Sequence, residues 1–106
     1  IISGGYNIYP KEIELFLDAL PNVKESAVIG APHPDFGESV IAVLVPEDGA
    51  TIDAAAIQDI ARRDLAGFKR PRHIEVVAEL PRNTMGKVQK NQLREKFAAA
   101  FQPVAS

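Results

Sequence analysis

No cysteine occurs among the 106 residues. That rules out a disulfide framework and a thiolate metal site, and it fits a reducing compartment. Only two histidines are present, His33 and His73, which leaves little scope for a Ser/His/Asp nucleophilic set. His33, Asp35 and Glu38 lie close together, but Pro34 and Gly37 turn the chain between them, and no metal site is expected. No apolar run approaches the roughly 18–20 residues that span a bilayer, so no membrane span is expected. No basic-then-apolar signal segment opens the chain. Gly4-Gly5 is not followed by the Gly-Lys-Ser/Thr of a phosphate-cradling loop. Internal repeats and low-complexity linkers are also lacking.

What is present is ordinary in bulk and uneven in detail. With 46% apolar and 25% charged residues, the chain is suited to one globular domain with a modest core. The opening Ile1-Ile2-Ser3 reads as the middle of a longer protein, an excised or partly observed domain. Net charge is −2, but residues 1–61 carry a balance of −8 and residues 62–96 a balance of +6. Such asymmetry suits an anionic partner for the second half: nucleotide or coenzyme phosphates, or nucleic acid. A solvated basic face would have the same composition.

Pro10 suits the first position of a helix. Ile13, Phe16, Leu17 and Leu20 then follow i, i+3, i+4, i+7 spacing, until Pro21-Asn22 ends the run. Residues 23–30 read as a strand. Val40 to Val45 is an unbroken apolar run that suits a strand covered on both faces. These two strands can pair as an antiparallel hairpin. Thr51 or Asp53 can cap a second helix with Ile57, Ile60, Ala61 and Leu65 on its apolar stripe, closed by Gly67 and Pro71. Residues 73–77 read as a third strand, and Leu93 and Phe97 mark a last helix. The expected fold is α+β: a small three-stranded sheet flanked by helices. An N-terminal glycine turn or hairpin and a C-terminal lysine-bearing turn complete it.

Two segments could carry chemistry. Pro81-Arg82-Asn83-Thr84-Met85-Gly86-Lys87 combines a fixed φ, side chains that bond their own backbone, and a glycine free to take φ > 0. It should form a tight exposed turn with Lys87 at its tip, and lysine is a compact, mobile point charge. A solvated lysine on a hairpin has the same pattern. Phe68-Lys69-Arg70-Pro71-Arg72 sets an aromatic face beside three cations. Arginine forks match phosphates and aromatics stack on bases; a core phenylalanine among solvated cations is the simpler alternative.

Three segments, in order, resemble the small C-terminal domain of the adenylate-forming superfamily, which includes acyl- and aryl-CoA ligases, peptide-synthetase adenylation domains and luciferases. They are Ile1 to Glu14 around Ser3-Gly4-Gly5-Tyr6-Asn7-Ile8-Tyr9-Pro10, Phe68-Lys69-Arg70-Pro71, and Pro81 to Gln89. Their order and spacing match that domain across essentially the whole chain. The glycine segment and the segment Pro81 to Lys90 look closest to malonyl-CoA synthetase-like ligases.

The resemblance implies a mobile domain, residues 1–106, working against a large N-terminal domain of the same protein. It implies two half-reactions with ATP, Mg2+ and CoA. A carboxylate attacks the α-phosphate to form an acyl-adenylate, and the CoA thiol then displaces AMP. Lys87 matches the catalytic lysine of the first step. Ser3, Gly4 and Gly5 match the lining of the pantetheine tunnel, Phe36 an aromatic that borders it, and Phe68, Arg70 and Arg72 positions that hold the nucleotide end of CoA. Arg72 stands where some relatives have lysine. Tyr6 stands where acetate-activating relatives have an arginine near the ATP phosphates. Implied partners are the large domain, a small carboxylic acid, CoA and a protein lysine acetyltransferase acting on Lys87, in a cytoplasmic enzyme. The isolated domain is expected to be inactive, with ATP and Mg2+ held mainly by the large domain. Fatty acid or aryl-CoA ligation, loading of a carrier protein, and nucleic-acid binding without catalysis are the alternatives. Only two tyrosines and five phenylalanines, several on helical apolar faces, weigh against nucleic acid.

Overall fold

In a computed structural model, residues 1–102 are described. The chain runs β1 (Ile2–Ser3), β2 (Tyr6–Asn7), α1 (Pro10–Asp18), β3 (Val23–His33), β4 (Gly37–Pro46), α2 (Ala54–Asp64), a 3-10 turn (Gly67–Lys69), β5 (His73–Val76) and α3 (Lys90–Lys96). The expected α+β fold is present, and so are its three main strands. The sheet itself has five strands, because the N-terminal glycine hairpin joins it. β1 and β2 pair antiparallel, and Ser3 of β1 then pairs with Gly37 at the start of β4. β3 and β4 form the expected antiparallel hairpin, from Glu25 opposite Val45 to His33 opposite Gly37. β5 lies parallel to β4, with Ile41 opposite His73.

β4 is central, and Val40 to Val45 are all buried. Strand alternation divides them between two cores. Val40, Ala42 and Leu44 join Val28, Ile8, Ile13, Leu17 and Ile57 under α1 and α2. Ile41, Val43 and Val45 join Ala27, Ile29, Ala31, Leu80 and Leu93 under α3. A register shift between Val23 and Glu25 changes the parity of β3. As a result Val23 packs with the α1 side, although its number is odd.

The helix ends follow local chemistry. Pro10 opens α1, as its fixed φ favours. Asp53, not Thr51, caps α2: its Oδ1 accepts from Ala55 N at 3.0 Å and Ala56 N at 3.2 Å. α2 stops at Asp64, earlier than its expected boundary at Gly67, and Leu65 is its extended C-cap. The outer edge of β3 is covered rather than open. Glu14 on α1 accepts Val28 N–H at 2.9 Å, Ser26 Oγ donates to Asp18 at 2.7 Å, and Lys90 Nζ reaches Glu14 at 2.8 Å. The first contact occupies a backbone N–H that would otherwise help template another strand.

Candidate functional site

The lysine turn is built by Asn83. Its backbone N–H donates to Lys87 O at 3.0 Å, and its side-chain Oδ1 accepts from Met85 N at 3.0 Å and from Lys87 N at 2.9 Å. Gly86 N–H returns to Asn83 O at 3.0 Å. Gly86 sits at φ +80°, a conformation that L side chains resist. Arg82 bridges Val88 across the neck, and Gln89 N–H donates to Pro81 O at 2.8 Å. Arg82 also braces the turn from outside: Nη1 donates to Gly86 O at 2.8 Å, and Nη2 pairs with Glu25 of β3. Lys87 is exposed and Met85 is 90% exposed. Among the described residues Lys87 joins none of the ion pairs. A rigid backbone thus presents an uncommitted cation to solvent.

The second set of candidates surrounds the glycine turn. Gly4 and Gly5 adopt φ +56° and +86°, and Ser3 beside them is buried. Gly4 N–H donates to Phe36 O at 2.9 Å, and a Cβ on Gly4 would lie 3.6 Å from the Phe36 ring. A Cβ on Gly5 would meet nothing within 4 Å, so this turn faces open space. Arg72 lies over the Phe36 ring at 4.4 Å. Tyr6 stacks on Phe68, centroids 4.4 Å apart and planes within 11°. Lys69 caps Phe68 at 5.7 Å and pairs with Glu12 at 2.7 Å. Ser3, Gly4, Phe36 and Arg72 therefore form one contiguous group, and Tyr6 ties the same hairpin to Phe68.

Arg70 has a different job from the one its charge suggests. Its Nε donates to Leu65 O at 2.9 Å and its Nη2 to Arg62 O at 2.6 Å, so the guanidinium occupies the last carbonyls of α2. It still lines a cleft of about 580 Å³ with Gln58, Arg62, Gly67, Pro71 and Arg72. Arg62 was not singled out from the sequence, because at a helix end it looks like any solvated charge. Beside this cleft, the hydrogen bond from Arg63 holds the Asp64 carboxyl below its ordinary range and raises Arg63 in turn. That pair is mutually neutralised, and Arg62 pairs with Asp59 one turn back on α2, so among the arginines lining the cleft only Arg72 has no carboxylate or carbonyl partner for its guanidinium among the described residues.

The two groups sit at opposite ends of the sheet. The lysine turn is held to Glu25 near the start of β3, whereas the glycine turn meets Gly37, which faces His33 at the end of β3. Those eight residues of strand correspond to roughly 26 Å at about 3.3 Å per residue.

His33 forms no metal cluster: its Nδ1 accepts from Asp35 N at 3.1 Å and its ring stacks on Phe36 at 4.5 Å. His73 contacts Glu75 at 2.6 Å. Among the described residues no group of three potential ligands could hold a metal ion. Among the described residues no helix is long and apolar enough to cross a membrane.

Residues 12–87 match the family described as AMP-binding enzyme C-terminal domain. The chain belongs to that family. Among solved structures, MatB from Rhodopseudomonas palustris aligns at 56% identity and a TM-score of 0.92, over 96% of this chain and 20% of its own. The same protein with ATP bound aligns at 55% identity. Indoleacetate–CoA ligase from Aromatoleum aromaticum is 43% identical over 92% of this chain and 19% of its own length. 2-Succinylbenzoate–CoA ligase from Listeria monocytogenes is 45% identical over 92% of this chain and 21% of its own. The chain thus spans about a fifth of the relatives it matches.

Proposed function

We propose that this chain is the mobile C-terminal domain of a larger AMP-forming acid–CoA ligase, and that its two turns serve two successive half-reactions. The observation that carries this is the uncommitted Lys87 on its Asn83-locked turn, roughly 26 Å along β3 from the open glycine turn. Groups that far apart on one rigid sheet cannot attend the same reacting atoms in one pose, and domain rotation presents them in turn.

In the first step a carboxylate oxygen attacks the α-phosphorus of ATP and pyrophosphate leaves. Lys87 Nζ lies between the two anions, reduces their repulsion and offsets charge in the transition state. In the second step the CoA sulfur attacks the acyl carbonyl carbon and AMP leaves. Ser3, Gly4 and Gly5 leave room for the thin pantetheine chain and Phe36 borders it. Phe68, Arg70 and Arg72 face the nucleotide end. The arginine-lined cleft fits an anionic ligand. Mg2+ would neutralise the ATP phosphates; with no ligand cluster among the described residues, the phosphates and the large domain would hold it. ATP use is supported by the ATP-bound relative.

Within this class the glycine and lysine segments favour a malonyl-CoA synthetase-like enzyme, and the 56% identity to MatB supports that. The named relatives also include aryl-acid ligases, so fatty acid and aryl substrates are the second reading. Loading of a carrier protein is the third, disfavoured by the arginine cleft. Nucleic acid is not the proposed partner. Acetylation of Lys87 by a lysine acetyltransferase would remove its charge and silence the first step; full adenylation by a fully acetylated parent would refute that. A cytoplasmic enzyme is part of this reading, and the lack of cysteine fits a reducing compartment. The parent protein, incubated with ATP, CoA and malonate, should yield AMP and malonyl-CoA. Absence of thioester from malonate, fatty and aryl acids alike, with a carrier protein loaded instead, would reject the CoA ligase assignment.

A further inference from the structure

Phe36 is not held by its own loop alone. The His33 ring stacks on it with centroids 4.5 Å apart and planes at 26°. Phe101, from the segment after α3, packs against His33 at 5.4 Å and meets the edge of His73 at 6.5 Å. Gln102 Nε2 donates to Pro32 O at 3.2 Å, a second tie between that segment and the end of β3. Phe36 also carries Arg72 over its ring at 4.4 Å. Phe101, His33, Phe36 and Arg72 therefore form a chain of contacts from the α3 side of the sheet to the glycine turn, tilted between Phe101 and His33 and stacked between His33 and Phe36. His33 occupies its Nδ1 on Asp35 N–H, so its ring plane is fixed by a hydrogen bond as well as by stacking. Phe101 also packs against the core under α3, so its position is set by the sheet and not by the loop.

We infer that Phe101 and His33 are positioning residues for the thioester-forming half-reaction: they fix the Phe36 ring, and with it Arg72, at the mouth of the channel for CoA. This rests on the reading of Phe36 and Arg72 as CoA contacts. Neither Phe101 nor His33 needs to touch CoA; His33 limits how Phe36 can rotate or lift away, and Phe101 limits the movement of His33. Among the described residues no hydrogen bond or aromatic contact links these rings to the lysine turn; Phe101 and Val88 share only the core under α3, so a variant that keeps that packing should affect one half-reaction.

The test uses the full-length parent protein and measures both half-reactions on the same preparations. Aromatic pairs contribute enough to shift an equilibrium by roughly three- to tenfold. Phe101→Ala and Phe101→Leu should each raise the KM for CoA by about that factor, with pre-formed acyl-adenylate as substrate and kcat little changed. Phe101→Tyr, which keeps the ring, should restore it. Leucine keeps apolar volume in the core, so the Leu and Tyr variants separate loss of the ring from loss of packing. An unchanged KM for CoA in Phe101→Leu, or an equal fall in both half-reactions for both variants, overturns the proposal. Phe36→Ala separates the two layers. If it leaves the KM for CoA unchanged, the underlying assignment of Phe36 fails. If it raises the KM while Phe101→Leu does not, only the positioning role fails.

Discussion

Asn83 and Lys87 are bonded to each other twice, Asn83 N to Lys87 O at 3.0 Å and Lys87 N to Asn83 Oδ1 at 2.9 Å. The catalytic candidate is thereby fixed at its backbone and free at its ammonium. A lysine that must reach atoms on another domain benefits from both, because the turn limits where the side chain starts without limiting its reach.

Asn83→Ala removes the acceptor for Met85 N and Lys87 N together. The turn loosens, and adenylate formation by the parent should fall by up to roughly 30-fold, at about 1 kcal/mol net for each of the two lost bonds. Reaction of pre-formed acyl-adenylate with CoA should be unaffected. Asn83→Asp, which keeps an acceptor oxygen, should recover part of the loss. Stopped-flow measurement of pyrophosphate release reads the first step directly.

Arg70 and Arg72 should separate in their effects. Arg70 is committed to the carbonyls of α2, and Arg70→Gln should lower stability by about 1–3 kcal/mol, read as a fall in Tm. Arg72→Ala should leave Tm nearly unchanged and raise the KM for CoA by roughly 10- to 100-fold, the range of a charge-assisted contact. Equal Tm losses in both variants would mean that Arg72 is structural.

Asp53 holds two N–H groups at the start of α2. Asp53→Ala should cost about 1 kcal/mol, while Thr51→Ala should cost little. Thermal unfolding of the two variants distinguishes the cap from its sequence alternative.

Much of the architecture was legible because its signals are local. Pro10, the spacing from Ile13 to Leu20 and the run from Val40 to Val45 each declare an element within a few residues, and the antiparallel β3–β4 pairing needs only a short loop. The lysine turn was legible too, since Asn83 and Gly86 state their backbone preferences. Other features depended on distant partners. The five-strand count rests on Ser3 meeting Gly37, and the brace on Arg82 rests on Glu25. The contacts from Phe101 through His33 to Phe36 join the segment after α3 to the loop between β3 and β4. No periodicity encodes such contacts. Arg70 is an intermediate case: cations near a helix C-terminus commonly bond its last carbonyls, so its role was open to inference from sequence once α2 was known to end at Asp64.

The most direct measurement is pyrophosphate release by the full-length Lys87→Ala protein, alongside thioester formation from pre-formed acyl-adenylate and CoA. Loss of a group that stabilises developing charge should slow the first reaction by about 100-fold or more and leave the second close to the unsubstituted rate. Pyrophosphate release at the unsubstituted rate would contradict the role given to Lys87, and with it the division of the two turns between two half-reactions.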